Sequence, residues 1–285
     1  MPPLLLRKSD GATMYSSRDI AAAIDRYDKY KFDKLLYVVA SEQNTYFKQL
    51  FNTLKLMGLK WAKDCYHISF GMIYMEEGKI STRKGQIIFL EDVLDKIFEL
   101  TKSLVDEKLP KAEQEKIAKA VGVSALIYSD LSNDRIKDIK FDWDKVLRLE
   151  GDSGPYLQYT YARAKSILEK ASGSACSGSK SKTHKPKKLA EKDTRGFSLA
   201  EEEKSLIILL NEFPSIVESA AISFSPHIIA NYALKVSDTF NTFYEKCPVM
   251  KAEKEKNFRL VLTESVAQVL KNSMLLLGMI PLERM

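Results

Sequence analysis

Cysteine, histidine and tryptophan are scarce: the 285 residues contain three, three and two of them respectively. Cys65, Cys176 and Cys247 are far apart and form no Cys-x-x-Cys pair, so neither a disulfide framework nor a zinc site is expected, and a reducing, cytoplasmic setting fits. No protein-ligated metal is expected. Long apolar runs are also missing. None approaches the roughly 18 residues of a membrane helix, and Met1–Arg7 is too short an apolar start for a signal peptide, so no membrane partner is expected. There is no internal repeat. The chain is 45% hydrophobic and 29% charged, in the ordinary globular range, and long enough for two domains. Its formal charge of +6 and pI near 8.9 are compatible with an acidic partner.

The patterning divides the chain. Residues 1–90 alternate strand-like and helix-like segments: a helix over 18–27 with Ser17 as N-cap and Asp19 in its first turn, a buried apolar strand at 35–39, and a helix from Asn44 to Met57 ended by Gly58. A β-type run then covers 66–74, in which Gly71 marks close approach by a ligand or another backbone. This order predicts a βαβ crossover. Residues 91–150 read as a helical connection, with helices over 91–105 and 113–131 separated at Pro110. Residues 151–285 read as all-helical. A capping box at Ser198–Glu201 opens a helix to about Ala221 with a break near Pro214, Ser225 and Pro226 open a second to Tyr244, and a third spans about 253–277. A linker at 172–196 carries seven Lys or Arg against two acidic residues and too few apolar side chains to offset its ordering entropy, so a flexible insertion is expected.

The most distinctive stretch is Glu77-Gly78-Lys79-Ile80-Ser81-Thr82-Arg83-Lys84-Gly85. Two glycines, two hydroxyls and three cations suit a phosphate clamp, and they suit a solvated hairpin tip equally. Joined to Phe70-Gly71-Met72 upstream, this loop resembles the second nucleotide motif of class I aminoacyl-tRNA synthetases, and more specifically of the arginyl-tRNA synthetase family. Three further stretches carry the same resemblance in family order. Tyr15-Ser16-Ser17-Arg18-Asp19 is similar to a Tyr-x-Thr-Arg-Asp segment; Ala40 to Gln49 is similar to Gly-x-x-Gln-x-x-His-Phe-x-Gln, with Tyr46 where the family usually has His; Gly151 to Arg163 is similar to Gly-Asn/Asp-Thr-Gly-Pro-Tyr-x-Gln-Tyr-x-His-x-Arg, with Tyr161 for the usual His.

The resemblance implies the second half of a Rossmann-type catalytic fold joined to an α-helical anticodon-binding domain. It implies ATP with Mg2+, arginine and tRNA(Arg) as ligands, and formation of arginyl-adenylate followed by transfer to tRNA. Lys79, Ser81, Thr82 and Arg83 would act on the phosphates, with Thr82 at a position where many class I enzymes have a lysine. Phe70, Gly71 and Met72 would meet the adenine. Tyr15, Asp19 and Gln43 would bind arginine, the Asp19 carboxylate matching the guanidinium fork of donors. Tyr156, Tyr159 and Tyr244 would stack on anticodon bases and Met285 would pack near the anticodon. The His-x-Gly-His motif of the family's first half is not in the sequence. The resemblance therefore implies a carboxy-terminal half, inactive alone and completed by an amino-terminal half in trans. A second reading is a non-catalytic tRNA-binding protein that retains the helical domain.

Overall fold

The computed structural model describes residues 2–75, 78–79, 89–148, 151–173 and 198–285. The chain divides into two compact units, one made of 1–74 with 135–140, the other of 75–134 with 141–285.

In the first unit, residues 5–14 fold back as a turn with an Arg7–Thr13 antiparallel bridge, and helix α1 (Tyr15–Tyr30) follows. Helix α1 starts earlier than its sequence suggests. Met14 stands at the N-cap, and the Ser16 and Ser17 hydroxyls donate to the Leu5 and Leu6 carbonyls. Ser17 is thus not the cap, and Asp19 lies one turn further in, because the preceding segment supplies acceptors for the two hydroxyls. Strand β1 (Leu35–Ala40), helix α2 (Asn44–Leu56) and strand β2 (Cys65–Phe70) form the expected crossover, with β1 and β2 parallel from Leu35↔Cys65 to Ala40↔Phe70. Beyond Gly71, strand β3 (Ile73–Met75) pairs in parallel with residues 139–140, a strand that has no clear sequence signal.

Helices α1 and α2 cover one face of β1–β2. Ile20, Ala23, Phe47, Leu50, Leu54 and Trp61 form the core, with Tyr27 stacked on Trp61 at 5.0 Å. On the other face, among the described residues, Leu36, Val38 and Phe70 are 43%, 66% and 40% exposed, while Ile68, in register with Val38, is buried. Strand alternation explains the division, since even-numbered residues of β1 point away from the helices.

The second unit contains the two-residue strand β4 (Gly78–Lys79), then α3 (Leu90–Thr101) and α4 (Lys111–Leu131). Strand β5 (Ile139–Lys140), already met as the partner of β3, belongs to the first unit; the short helix α5 (Trp143–Val146) returns the chain to the second. Helices α6 (Gly154–Ala171), α7 (Glu201–Asn211), α8 (Phe213–Ser223), α9 (His227–Lys246) and α10 (Lys256–Leu276) complete it. Their core runs through Leu157, Tyr161, Leu206, Val236, Phe240, Phe243, Val266 and Leu270.

The Gly151–Gly154 turn makes the joint between α4 and α6. Gly151 has φ +76°, the Ser153 hydroxyl accepts from the Tyr156 N–H at 3.3 Å, and a Cβ on Gly154 would lie 2.7 Å from the Ser124 carbonyl. Buried Gln158 donates to Ser124 Oγ at 3.0 Å and to the Ile280 carbonyl at 2.7 Å, fastening the chain end to α4 and α6.

The stretch 201–221 is two helices, broken at Glu212 ahead of Pro214, where the sequence places the break. Its opening has Ala200, not Ser198, at the N-cap: the Glu203 carboxylate accepts from the Ala200 N–H at 2.8 Å and pairs with Arg259 at 2.7 Å. Residues Glu201–Ser223 also reach a mean hydropathy of 1.4 over 18 residues, enough by composition for a membrane span; the structure breaks them into two helices whose Leu206, Leu209 and Ala220 join the helical core. The 172–196 insertion falls, apart from Ser172 and Gly173, outside the described residues.

Truncating Leu54, fully buried between α2 and the sheet, to alanine should cost about 2–5 kcal/mol, while Val38→Thr at its exposed position should change stability by less than about 0.5 kcal/mol. Urea titrations of the two variants check the difference. Burial pushes the Cys65 thiol up to about 11, reinforced by Asp64. The unfolded thiol ionises at lower pH than the native one, so this contribution to stability is complete below the ordinary thiol value and is lost as pH rises toward 11. Cys65→Ala should flatten the decline in urea midpoint between pH 8 and 11.

Candidate functional sites

In the first unit, Tyr15 and Asp19 lie one turn apart on α1 and so on one helix face. Tyr46, in the first turn of α2, meets both. Its hydroxyl donates to Asp19 Oδ2, and its ring centroid is 5.1 Å from that of Tyr15 at a 53° tilt. Burial first, then the Asp19 hydrogen bond, push the Tyr46 hydroxyl far above the ordinary phenol value, so it stays protonated and remains a donor through the neutral range. Tyr15 is 59% exposed and Asp19 is half-buried. Gln43 is exposed at the end of the 41–43 turn, directly ahead of α2. The result is a partly open carboxylate walled by two aromatic rings, suited to a planar cation with several donors.

The Phe70–Met72 segment follows β2. The Gly71 N–H donates to the Arg135 carbonyl at 2.7 Å, and the Met72 N–H to Asp138 Oδ1 at 2.7 Å. The Met72 carbonyl accepts from the Ile139 N–H at 2.8 Å. The space a Cβ on Gly71 would need is filled by backbone, with the Lys137 carbonyl oxygen 2.1 Å from that position. Close approach at Gly71 is therefore by the 135–139 segment. Phe70 keeps a 40% exposed ring. Lys79 lies in β4, its side chain outside the described residues, as are Ser81, Thr82 and Arg83.

In the second unit, Tyr156, Tyr159 and Arg163 recur at three and four residues along α6 and share a face. The Arg163 guanidinium lies over the Tyr159 ring at 4.8 Å and the Tyr244 ring of α9 at 5.7 Å, and donates to Asn241 Oδ1 at 2.7 Å. Tyr159 and Tyr244 are 41% and 39% exposed, forming with Arg163 a cationic and aromatic surface. Tyr156 is tied inward: its hydroxyl donates to Asp238 at 2.8 Å and accepts from Asn241 at 2.9 Å. Burial and then the Asp238 bond raise its pKa. Met285 lies elsewhere, half-buried with Leu282 against Val105, Ile117 and Val121.

Sequence reasoning picked out the aromatics without Arg163, which joins them; its four-residue spacing from Tyr159 was the available signal. Arg135 and Asp138 were missed because nothing local ties them to a segment 66 residues away.

The catalytic-domain model of class I (R) tRNA synthetases matches residues 1–143, and the DALR anticodon-binding domain model matches residues 157–285. Arginine–tRNA ligase of Halothermothrix orenii is 42% identical over 287 residues, covering 100% of this chain and 48% of the relative; arginine–tRNA ligase 2 of Bacillus anthracis is 42% identical over 280 residues, covering 98% and 47%. The chain thus spans about half the length of these curated relatives. Arginyl-tRNA synthetase of Plasmodium falciparum superposes with a TM-score of 0.79 at 27% identity, over 98% of this chain and 46% of that one. The Thermus thermophilus enzyme superposes with a TM-score of 0.81 at 24% identity, over 99% and 51%, and shows the same fold.

Gly71→Ala should destabilise the first unit by more than about 2 kcal/mol, because a Cβ has no room beside the Lys137 carbonyl. Loss of amide protection at Ile139, with α1 and α2 still helical, is the expected hydrogen-exchange result.

Proposed function

The chain belongs to the class I tRNA synthetases of the arginine type, and from that premise we propose that it serves as the carboxy-terminal half of an arginine–tRNA ligase. The observation that carries this reading is the Tyr15–Asp19–Tyr46 arrangement, a carboxylate between aromatic rings on the catalytic-domain side of the chain. Asp19 binds the guanidinium of arginine, Tyr15 forms one wall, and Gln43 at the head of α2 reaches the substrate. A pure tRNA-binding module has no chemical need for such a carboxylate.

ATP is the second substrate, and it supplies the α-phosphate that the arginine carboxylate attacks. Lys79, Ser81, Thr82 and Arg83 hold its phosphates, with Mg2+ sharing the charge. The Gly71 and Met72 amides do not fit the adenine reading, since the Arg135 carbonyl and the Asp138 carboxylate occupy them. The exposed Phe70 ring is the adenine-facing group at this segment. Tyr159, Tyr244 and Arg163 take unpaired bases of tRNA(Arg) by stacking, and Tyr156 fixes their frame through Asp238 and Asn241; Met285, packed against Val105, Ile117 and Val121 away from that surface, does not fit an anticodon contact there. The setting is the cytoplasm, where translation occurs.

The exposed Leu36 and Val38 side chains of β1 support completion by sheet and helices beyond this chain, supplied in trans by an amino-terminal half. The test is arginine-dependent ATP–pyrophosphate exchange by the 285-residue chain, with and without the amino-terminal half of a relative. Exchange on mixing alone is expected. Tight tRNA(Arg) binding with no exchange in either state would favour the non-catalytic reading instead. Tyr159→Ala and Tyr244→Ala should each weaken tRNA(Arg) binding about tenfold in filter binding, without affecting exchange.

A further inference from the structure

We propose that Tyr46 is a positioning residue for arginine, its hydroxyl holding the Asp19 carboxylate at Oδ2 so that Oδ1 is presented to the guanidinium beside the Tyr15 ring. This rests on the arginine-pocket reading above and adds to it a group outside the substrate contacts already named. Three observations carry it. The Tyr46 hydroxyl donates to Asp19 across the α1–α2 interface, between residues 27 apart in sequence. Its ring is wedged between Tyr15 at 5.1 Å and Phe47 at 5.3 Å, so the hydroxyl has a fixed direction. Phe47 is fully packed in the core, 4% exposed, which anchors that wedge to the scaffold.

The consequence is one of selectivity. A carboxylate free to rotate satisfies a compact ammonium in many orientations, whereas a planar guanidinium needs its acceptor in a set plane. By fixing the Asp19 plane, Tyr46 favours arginine over lysine while touching neither. An imidazole at this position would also have an N–H to give, so Tyr46→His keeps a donor and changes its reach.

The experiment is titration of the intact 285-residue chain with L-arginine and with L-lysine, followed by NMR on Tyr and Asp resonances. Four proteins are compared: wild type, Tyr46→Phe, Tyr46→His and Asp19→Asn. Tyr46→Phe should weaken arginine binding about tenfold with lysine binding unchanged, Tyr46→His should restore most of the loss, and Asp19→Asn should abolish arginine binding. Unaltered arginine affinity in Tyr46→Phe, with binding lost in Asp19→Asn, would overturn the role of Tyr46 and leave the pocket standing. Equal losses for arginine and lysine in Tyr46→Phe would make the residue merely structural and also overturn it. Arginine binding retained in Asp19→Asn, or absent from the wild-type chain, would overturn the pocket and this inference together.

Discussion

Parallel pairing of β1 with β2 is the constraint on which the first unit depends. Two parallel strands require a crossover, α2 supplies it, and the crossover brings the first turn of α2 against α1. That contact places the Tyr46 hydroxyl on the Asp19 carboxylate. The same pairing leaves a cost. A parallel sheet is ordinarily covered on both faces, and here α1 and α2 cover one while, among the described residues, Leu36, Val38 and Phe70 are exposed on the other and Ile68 is buried there. Apolar surface of this kind, in a chain spanning about half the length of its relatives, is the physical ground for proposing a completing half.

The helical unit solves a different problem: bringing long helices close enough to share a core. Gly154 permits backbone contact with α4, and Ser153 caps α6 as it leaves the turn. Buried Gln158 ties the end of the chain to the same joint through Ser124 and Ile280. Tyr128 donates to Asp152 at 2.8 Å, fixing the turn from the α4 side. The Gly151–Gln158 motif is therefore mainly a mechanical joint. Its outward products are Tyr159 and Arg163, carried on the exposed side of α6 toward Tyr244.

Much of this was legible in the sequence, for identifiable reasons. The apolar run at 35–39, the glycine after α2 and the proline before α4 each act locally, and each marks an element the chain forms. What escaped depends on distant partners. Ser17 has the chemistry of an N-cap, yet its hydroxyl is claimed by the Leu6 carbonyl of a folded-back segment. Ser198 is likewise plausible as a cap and is displaced by Ala200, because Glu203 serves both the helix end and Arg259. Strand β5 is two residues long and exists only because β3 lies beside it. Among the candidate site residues, Tyr15 and Asp19 were legible as a pair, and Tyr159 with Tyr244 as aromatics. Tyr46 and Arg163 stand in the motifs, but the contacts by which they join these groups form only once the helices are packed.

The exposed side chains and edge of β1–β2 are the proposed seat of the rest of a catalytic domain. Amide hydrogen exchange across Leu35–Ala40 and Phe70, recorded on the 285-residue chain before and after adding an amino-terminal half from a relative, tests this most directly. Slowing of exchange by at least about tenfold in β1, with the amides of α9 and α10 unchanged, is the predicted result. Exchange in β1 that is indifferent to the added half would contradict the account.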